Sequence, residues 1–221
     1  MHSLFISNLW DDTPYYICWI VAMLFSSCLQ EFIQSWVVVK LRETQALIRG
    51  VFSLNPLQIY DIPAFICLGI FGVIWGIPII HTDMLKSYKN GAIIHGSGPA
   101  INLIMAFIAA VILFISVKLI NWLLPINSYI VIHYFKFVII TCKVNCWLCV
   151  LNMMPIPGLD GWGLLEAFIP QFRNMDHNRK NIIIFASLLV LWATPLASLF
   201  CMVCELIYQA INYPFIMMLP H

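Results

Sequence analysis

Charge is what this sequence has least of. Only 10% of its 221 residues are Asp, Glu, Lys or Arg, and eleven basic against ten acidic side chains leave a formal net charge of +1. A balance so small and so sparse supplies no basic surface for nucleic acid and no acidic tail for a charge-steered soluble partner. No Lys or Arg occurs before Lys40, so the chain lacks the charged start of a secretory leader, and its first apolar run is too long for a leader core. Internal repeats and low-complexity tracts are missing as well. What fills the space is apolar: 62% hydrophobic residues and a mean hydropathy of +0.92 describe a multi-pass membrane protein read against lipid.

Against that background, Ser26 to Trp36 stands out. This stretch places a carboxylate and two carboxamides inside the apolar run Tyr15 to Val39, which is long enough to cross a bilayer. An ionisable residue at the centre of a membrane helix costs about 2.5 to 3.5 kcal/mol, so Glu31 is a functional-site candidate. Ser27, Gln30, Glu31 and Gln34 fall at i, i+3, i+4 and i+7 and form one polar stripe on a helix. QEFIQ has the spacing of HExxH with both histidines replaced by glutamine. In HExxH two imidazoles one turn apart hold zinc, and the Glu between them deprotonates its water. Carboxamide oxygens are neutral hard donors and make a poor zinc site. The plain alternative is a polar stripe that joins helices.

The chain in order predicts an all-α polytopic protein of about five spans, one integral membrane domain over residues 1–221. The first span covers Pro14 to Leu41, and residues 43–63 read as an interfacial connection with a short hairpin. Residues 63–80 read as a short span or a re-entrant element. A polar connection, His81 to Gly96, leads to a third helix from Ser97 to Leu124 with Pro99 at its start and Asn102 just inside. A fourth helix, Ile130 to Met154, carries Asn145, Cys149 and Asn152 on one face and Lys136 and Lys143 on the other, where the lysines snorkel toward the helix start. It ends in NMMPIPGLDGW, whose prolines and glycines break the helix and offer Asp160 to the interior. An amphipathic piece with Arg173, Asp176, His177, Arg179 and Lys180 precedes a last span, Asn181 to Ala210, kinked at Pro195. Of the eight cysteines, Cys142, Cys146 and Cys149 share a helix face, open to a metal reading or to plain packing. On five spans, Lys86, Lys89, Arg173, Arg179 and Lys180 lie on the side of the N-terminus against Lys40, Arg42 and Arg49. That count favours a cytoplasmic N-terminus, and it reverses for the downstream loops if residues 63–80 do not cross.

Four segments taken together resemble the site-2 protease family of intramembrane zinc metalloproteases, in compact form, over about residues 24–171. QEFIQSWVVVKL stands at the HExxH helix, LNPLQIYDIPAF at the Asn-Pro and Asp-Pro connection, GSGPAINL at the Gly-Pro-x-x-Asn helix, and NMMPIPGLDGWGLL at the Asn-x-x-Pro-x-Pro-x-Leu-Asp-Gly motif. The resemblance implies the family fold in a bacterial cytoplasmic membrane, Asp160 as third zinc ligand, Glu31 as general base and a groove that admits a partner transmembrane helix. Gln30 and Gln34 occupy both histidine positions, so the site is degenerate and no metal or other cofactor is expected. The reading is a pseudoprotease that binds or regulates membrane segments through Gln30, Gln34, Asn102, Asn152 and Asp160, with Glu31 a vestigial base. The alternatives are an active protease with zinc on replacement ligands such as His95 or Cys28, and a solute carrier using Glu31 and Asp160. A carrier lacks the duplicated halves common in transporters.

Overall fold

A computed structural model describes residues 5–46, 53–74, 84–123, 129–173, 175–193 and 195–218. Among them the regular elements are helical and no strand occurs. A short 3-10 turn, Phe5–Ser7, and α1 (Asn8–Asp11) precede α2 (Thr13–Lys40). α2 starts where it does because Asp12 caps it, accepting the Tyr15 N–H at 3.1 Å, and because Pro14 occupies the first turn, where no amide donor is needed. It stops at Arg42, whose φ of 58° lies in the left-handed region and breaks helical continuation.

After α2 come α3 (Pro56–Ile59), α4 (Ile62–Phe71), α5 (Tyr88–Leu123), α6 (Tyr129–Asn152), α7 (Asp160–Phe168), α8 (Pro170–Arg173), α9 (His177–Ala193) and α10 (Leu196–Met217). Four of these, α2, α5, α6 and α10, are long and apolar enough to cross a membrane, which makes the chain an all-α polytopic membrane protein. Their outward faces carry exposed apolar side chains such as Phe25, Ile104, Ile108 and Met202, as lipid contact requires.

Several boundaries differ from the sequence reading. The hairpin expected in 43–63 is absent from the described part, and residues 47–52 lie outside it. Asn55-Pro56 and Ile62-Pro63 each begin a helix instead of a turn, since proline suits the first helical turn as well as it suits a bend. α4 has ten residues, about 15 Å, and ends at Gly72 with φ 74°; residues 75–80 of the expected second span lie outside the described residues. α5 begins at Tyr88, nine residues before Ser97, so Pro99 sits inside the helix and not at its start. Such a proline costs only one amide donor, and neighbouring helices compensate in membranes. The last expected span is two helices, α9 and α10, because Pro195 restarts the chain as the N-cap residue of α10. The described residues therefore hold four spanning helices where about five were expected.

Side-chain donors tie the short elements to the long ones. Tyr16 Oη and Trp19 Nε1 of α2 donate to the Gly69 and Gly72 carbonyls at 2.9 and 2.7 Å, satisfying the open C-terminal end of α4. α5 and α6 approach closely along Ala106, Ala109 and Ala110, against which Cys142 and Cys146 are fully buried; the Cys142 thiol donates to the Ala106 carbonyl at 3.4 Å. The cysteine face thus packs on small residues. Lys136 and Lys143 do not simply snorkel. Lys136 Nζ pairs with the Asp12 carboxylate at 2.5 Å, and Lys143 lies 3.8 Å from Glu205 and over the Tyr208 ring.

Candidate functional site

The polar residues of α2 meet the broken end of α6 and the start of α7. Gln34 Nε2 donates to Asp160 Oδ1 at 2.7 Å, and Gln30 Nε2 donates to Asp160 Oδ2 at 3.2 Å. Gln30 Oε1 in turn accepts from Asn102 Nδ2 at 2.7 Å and from Asn152 Nδ2 at 2.8 Å. His95 Nδ1 lies 3.2 Å from Asp160 Oδ1. All six residues are at most 8% exposed, so four helices, α2, α5, α6 and α7, share one buried network.

Local sequence explains how the side chains arrive. Gln30 and Gln34 are one turn apart on α2 and project together. Pro155 and Pro157 stop α6 just after Asn152, Gly158 adopts φ 94°, and the chain turns back so that Asp160 opens α7 toward α2. On α5, His95, Gly98 and Asn102 follow at i, i+3 and i+7 and line the face turned to the site. Gly98 is required there: any Cβ would collide with Asp160 Oδ2 and Gln34 Nε2. Gly163 of α7 serves the same end, since a Cβ would run into the His95 ring.

The donor pattern is internally consistent. An Asp160 carboxylate only accepts, which turns both glutamine NH2 groups toward it and leaves Gln30 Oε1 to the two asparagines. The same logic places the His95 proton on Nδ1. Within this network two acceptors then stay unpaired, His95 Nε2 and Asn102 Oδ1, both fully buried atoms; Asn145 Oδ1 is another such acceptor outside it.

Of the sequence-derived site residues, Gln30, Gln34, Asn102, Asn152 and Asp160 come together. Glu31 does not join them; it stands beside the network, half-buried, and makes none of its hydrogen bonds. Ser27 leaves the stripe to bond its own helix at the Met23 carbonyl, 2.7 Å away. Ser26 takes over as a second link, accepting from Asn145 Nδ2 at 2.9 Å. His95 belongs to the network although it was weighed only as a replacement metal ligand; its i, i+7 relation to Asn102 was the available signal. Glu166 was missed altogether. It is 3% exposed and accepts from Trp162 Nε1 and Lys180 Nζ, both at 2.7 Å, which fastens α9 to α7.

Zinc does not fit this donor set. The Gln30 and Gln34 groups that face Asp160 are NH2 donors whose nitrogen lone pairs are delocalised into the amide, and the Gln30 oxygen is already shared by two asparagines. What is left at the centre is one carboxylate and one imidazole. Among the described residues no group of three or more His, Cys, Asp or Glu side chains is arranged to hold a metal ion.

Comparison with known proteins adds a family context. The chain is 26% identical over 181 residues to the protein named putative zinc metalloprotease YwhC of Bacillus subtilis (strain 168), covering 81% of each chain. It is 27% identical over 161 residues to putative zinc metalloprotease Rip2 of Mycobacterium tuberculosis (strain H37Rv), 68% of this chain and 56% of that one. Rip2 of Mycolicibacterium smegmatis (strain mc(2)155) is 30% identical over 164 residues, 70% of this chain and 58% of the relative. The chain thus spans a little over half the length of the Rip2 proteins it matches. No family model matches it, and no solved structure does.

Proposed function

We propose, from the premise that this chain is a membrane-protein relative of the site-2 protease type of metalloprotease, that it is a non-proteolytic member which binds or regulates membrane segments. The observation that carries the reading is the 2.7 Å hydrogen bond from Gln34 to Asp160, supported by the longer one from Gln30. At the place where the resemblance implies a cation between two imidazoles and a carboxylate, two carboxamides supply the positive ends of N–H dipoles directly to the carboxylate. Such a centre satisfies Asp160 without a metal and leaves Glu31 with no activated water to deprotonate. Glu31 is then a vestigial base.

Binding is the activity that such a core retains. Asn102 Oδ1 and His95 Nε2 are buried acceptors with no donor among the described residues, and leaving such atoms unpaired costs about 1 to 3 kcal/mol each. Once the side chains that cover these atoms part, the backbone N–H groups of a partner transmembrane segment, opened locally from its helix, are donors of the required kind. Gln30, Gln34, Asn152 and Asp160 form the wall behind them. The setting is a bacterial cytoplasmic membrane, in keeping with the bacterial relatives.

A second reading, an active protease with zinc on replacement ligands, is favoured by His95 at 3.2 Å from Asp160. Metal analysis of detergent-purified protein separates the two. The unaltered chain should hold no more zinc than Asp160→Asn and should leave a membrane-helix substrate intact. Gln30→His with Gln34→His should gain zinc, at an affinity about 10 to 100-fold below a fully supported site where outer-shell partners are missing. Stoichiometric zinc in the unaltered protein, lost on changing Gln30, Gln34 or His95, would overturn the proposal.

A further inference from the structure

A second polar group lies away from the Asp160 network, between α6 and α10, and it is charged. Lys143 Nζ stands 3.8 Å from Glu205 Oε2 and 4.9 Å over the Tyr208 ring, and Gln209 Nε2 donates to Glu205 Oε1 at 3.4 Å. The packing of α10 decides which way these side chains point. Ile207, Ile211 and Phe215 press one face of α10 onto the alanine and cysteine surface that α5 and α6 share. Glu205 and Gln209, one turn apart, are exposed on the outer side.

Depth makes this pair costly. α6 ends at Asn152, nine residues after Lys143, and α10 begins at Leu196, nine residues before Glu205, so each charge is about 14 Å along its helix from the nearer end. Half of a bilayer's hydrocarbon is about 15 Å thick, which puts the pair near its centre. The stem of Lys143 is too short to carry its ammonium from there to the headgroups. Yet the Lys143 and Glu205 side chains are 43% and 50% exposed, and at 3.8 Å they attract one another without forming a hydrogen bond. Lipid chains offer neither donors nor acceptors. The outward halves of both groups therefore need polar partners at the same depth.

We propose that a second copy of this chain docks on the Lys143/Glu205 face, across a two-fold axis parallel to the bilayer normal. Copies that insert the same way round are related by such an axis, and it leaves depth unchanged. Because Lys143 and Glu205 lie side by side, the axis sets Lys143 of each copy against Glu205 of the other. Four charges of alternating sign close a ring, and each group gains the partner that its outward half lacks. The face is complementary to itself, with one cation and one anion. A foreign helix would have to carry both signs, adjacent and at this same depth, whereas a copy does so by construction. Exposed Met202 and Leu206 flank Glu205 and seal the ring from lipid, and exposed Cys201, one turn before Glu205, is small enough for two α10 helices to approach. Asn152 lies about half a turn around α6 from Lys143, so docking leaves the Asp160 network on the other side of that helix. The pairing holds whether or not the protein cuts peptides.

Cross-linking and energy transfer with the full chain in lipid vesicles test the pairing. Of the eight cysteines only Cys201 is exposed, so a short bismaleimide should yield a covalent dimer that Cys201→Ser removes. Energy transfer between donor- and acceptor-labelled chains, followed as lipid is added, reads the dissociation constant. Lys143→Gln with Glu205→Gln should raise that constant about tenfold. Charge reversal is sharper. Lys143→Glu alone and Glu205→Lys alone should each stay monomeric, and an equimolar mixture of the two should pair, because each copy then meets the opposite sign. A mixture with no more energy transfer than either variant alone overturns the proposal. If the reversed chains do not insert, the other two arms decide: an unaltered chain that is monomeric at every lipid ratio, or an unchanged constant in the glutamine variant, overturns it. Monomers in vesicles together with a Cys201-dependent cross-link to another polypeptide in native membranes would give the face to a foreign segment and likewise overturn the second copy.

Discussion

Replacing Gln34 with Met asks whether the carboxamides hold the helices together through Asp160. The side chains are of similar length, so Gln34→Met removes a donor with little change in volume. The lost bond is short, 2.7 Å, and ends on a carboxylate, where hydrogen bonds contribute about 1.5 to 3 kcal/mol in soluble proteins. Interhelical hydrogen bonds in membranes average only about 0.6 and reach about 1.7 kcal/mol, because the unfolded helices also find partners in lipid. An expected loss of about 1 to 2 kcal/mol lies where these ranges meet. Asp160→Asn alone is uninformative: it weakens three bonds and at the same time relieves a buried charge, and the two effects oppose. The double variant resolves this. If Gln34 acts through the carboxylate, Gln34→Met should cost at least about 0.5 kcal/mol less in the Asp160→Asn background than alone. Unfolding of the purified protein in mixed micelles of rising SDS fraction, followed by circular dichroism, reads both values. Equal costs in the two backgrounds would refute the network as a unit.

Two neighbouring glycines of α5 should respond in opposite directions. Gly98→Ala pushes a methyl group into Asp160 and Gln34 and should cost about 1 to 3 kcal/mol, whereas Gly96→Ala meets nothing within 4 Å and should gain up to about 1 kcal/mol from helix propensity; the same unfolding assay compares them. Glu43 supplies a pH dependence. Burial pushes its carboxyl up, but the Lys86 N–H and the Asn90 amide more than offset this and hold it below the ordinary value of 4.5. A carboxyl lowered in the folded state stabilises it above the unfolded pKa, and that contribution is lost as pH falls from 4.5 through the lower folded value. Glu43→Gln should flatten the unfolding midpoint in this acid window relative to the unaltered protein; an identical acid profile would count against the latch.

Sequence reasoning reached the site through spacing. Gln30 and Gln34 one turn apart, Asn102 after a Gly-Pro pair and Asp160 in a helix break are local patterns, and the fourfold order of motifs implied that they meet. Glu31 shows the limit of a stripe: i+4 from Ser27 put it on the polar side, yet a helix face about 100° wide has room for side chains that aim past a partner. The start of α5 was illegible because Tyr88, Lys89 and Asn90 read as a polar loop. They are helical through Glu43, a contact 43 to 47 residues away that no local pattern contains. Pro195 was recognised as a disturbance, but whether a proline bends a helix or divides it depends on what packs beside it. The charge count left orientation open for a similar reason, since it hinged on which side Lys86 returns to.

That latch has a bearing on how such a chain diversifies. With Glu43 and Lys86 pinned, everything between them is a closed loop anchored at both ends, and the entropy of closing a loop grows slowly, about 0.6 kcal/mol for each doubling of its length. Insertions or deletions between α2 and α5 that spare α3 and α4, whose Ile59, Tyr60, Ala64 and Leu68 pack in the core, therefore cost little and do not propagate into the register of either long helix. Gln34 and Gly98 keep their positions relative to Asp160 while the connections around α3 and α4 vary in length, so evolution can refit what approaches the site without rebuilding it.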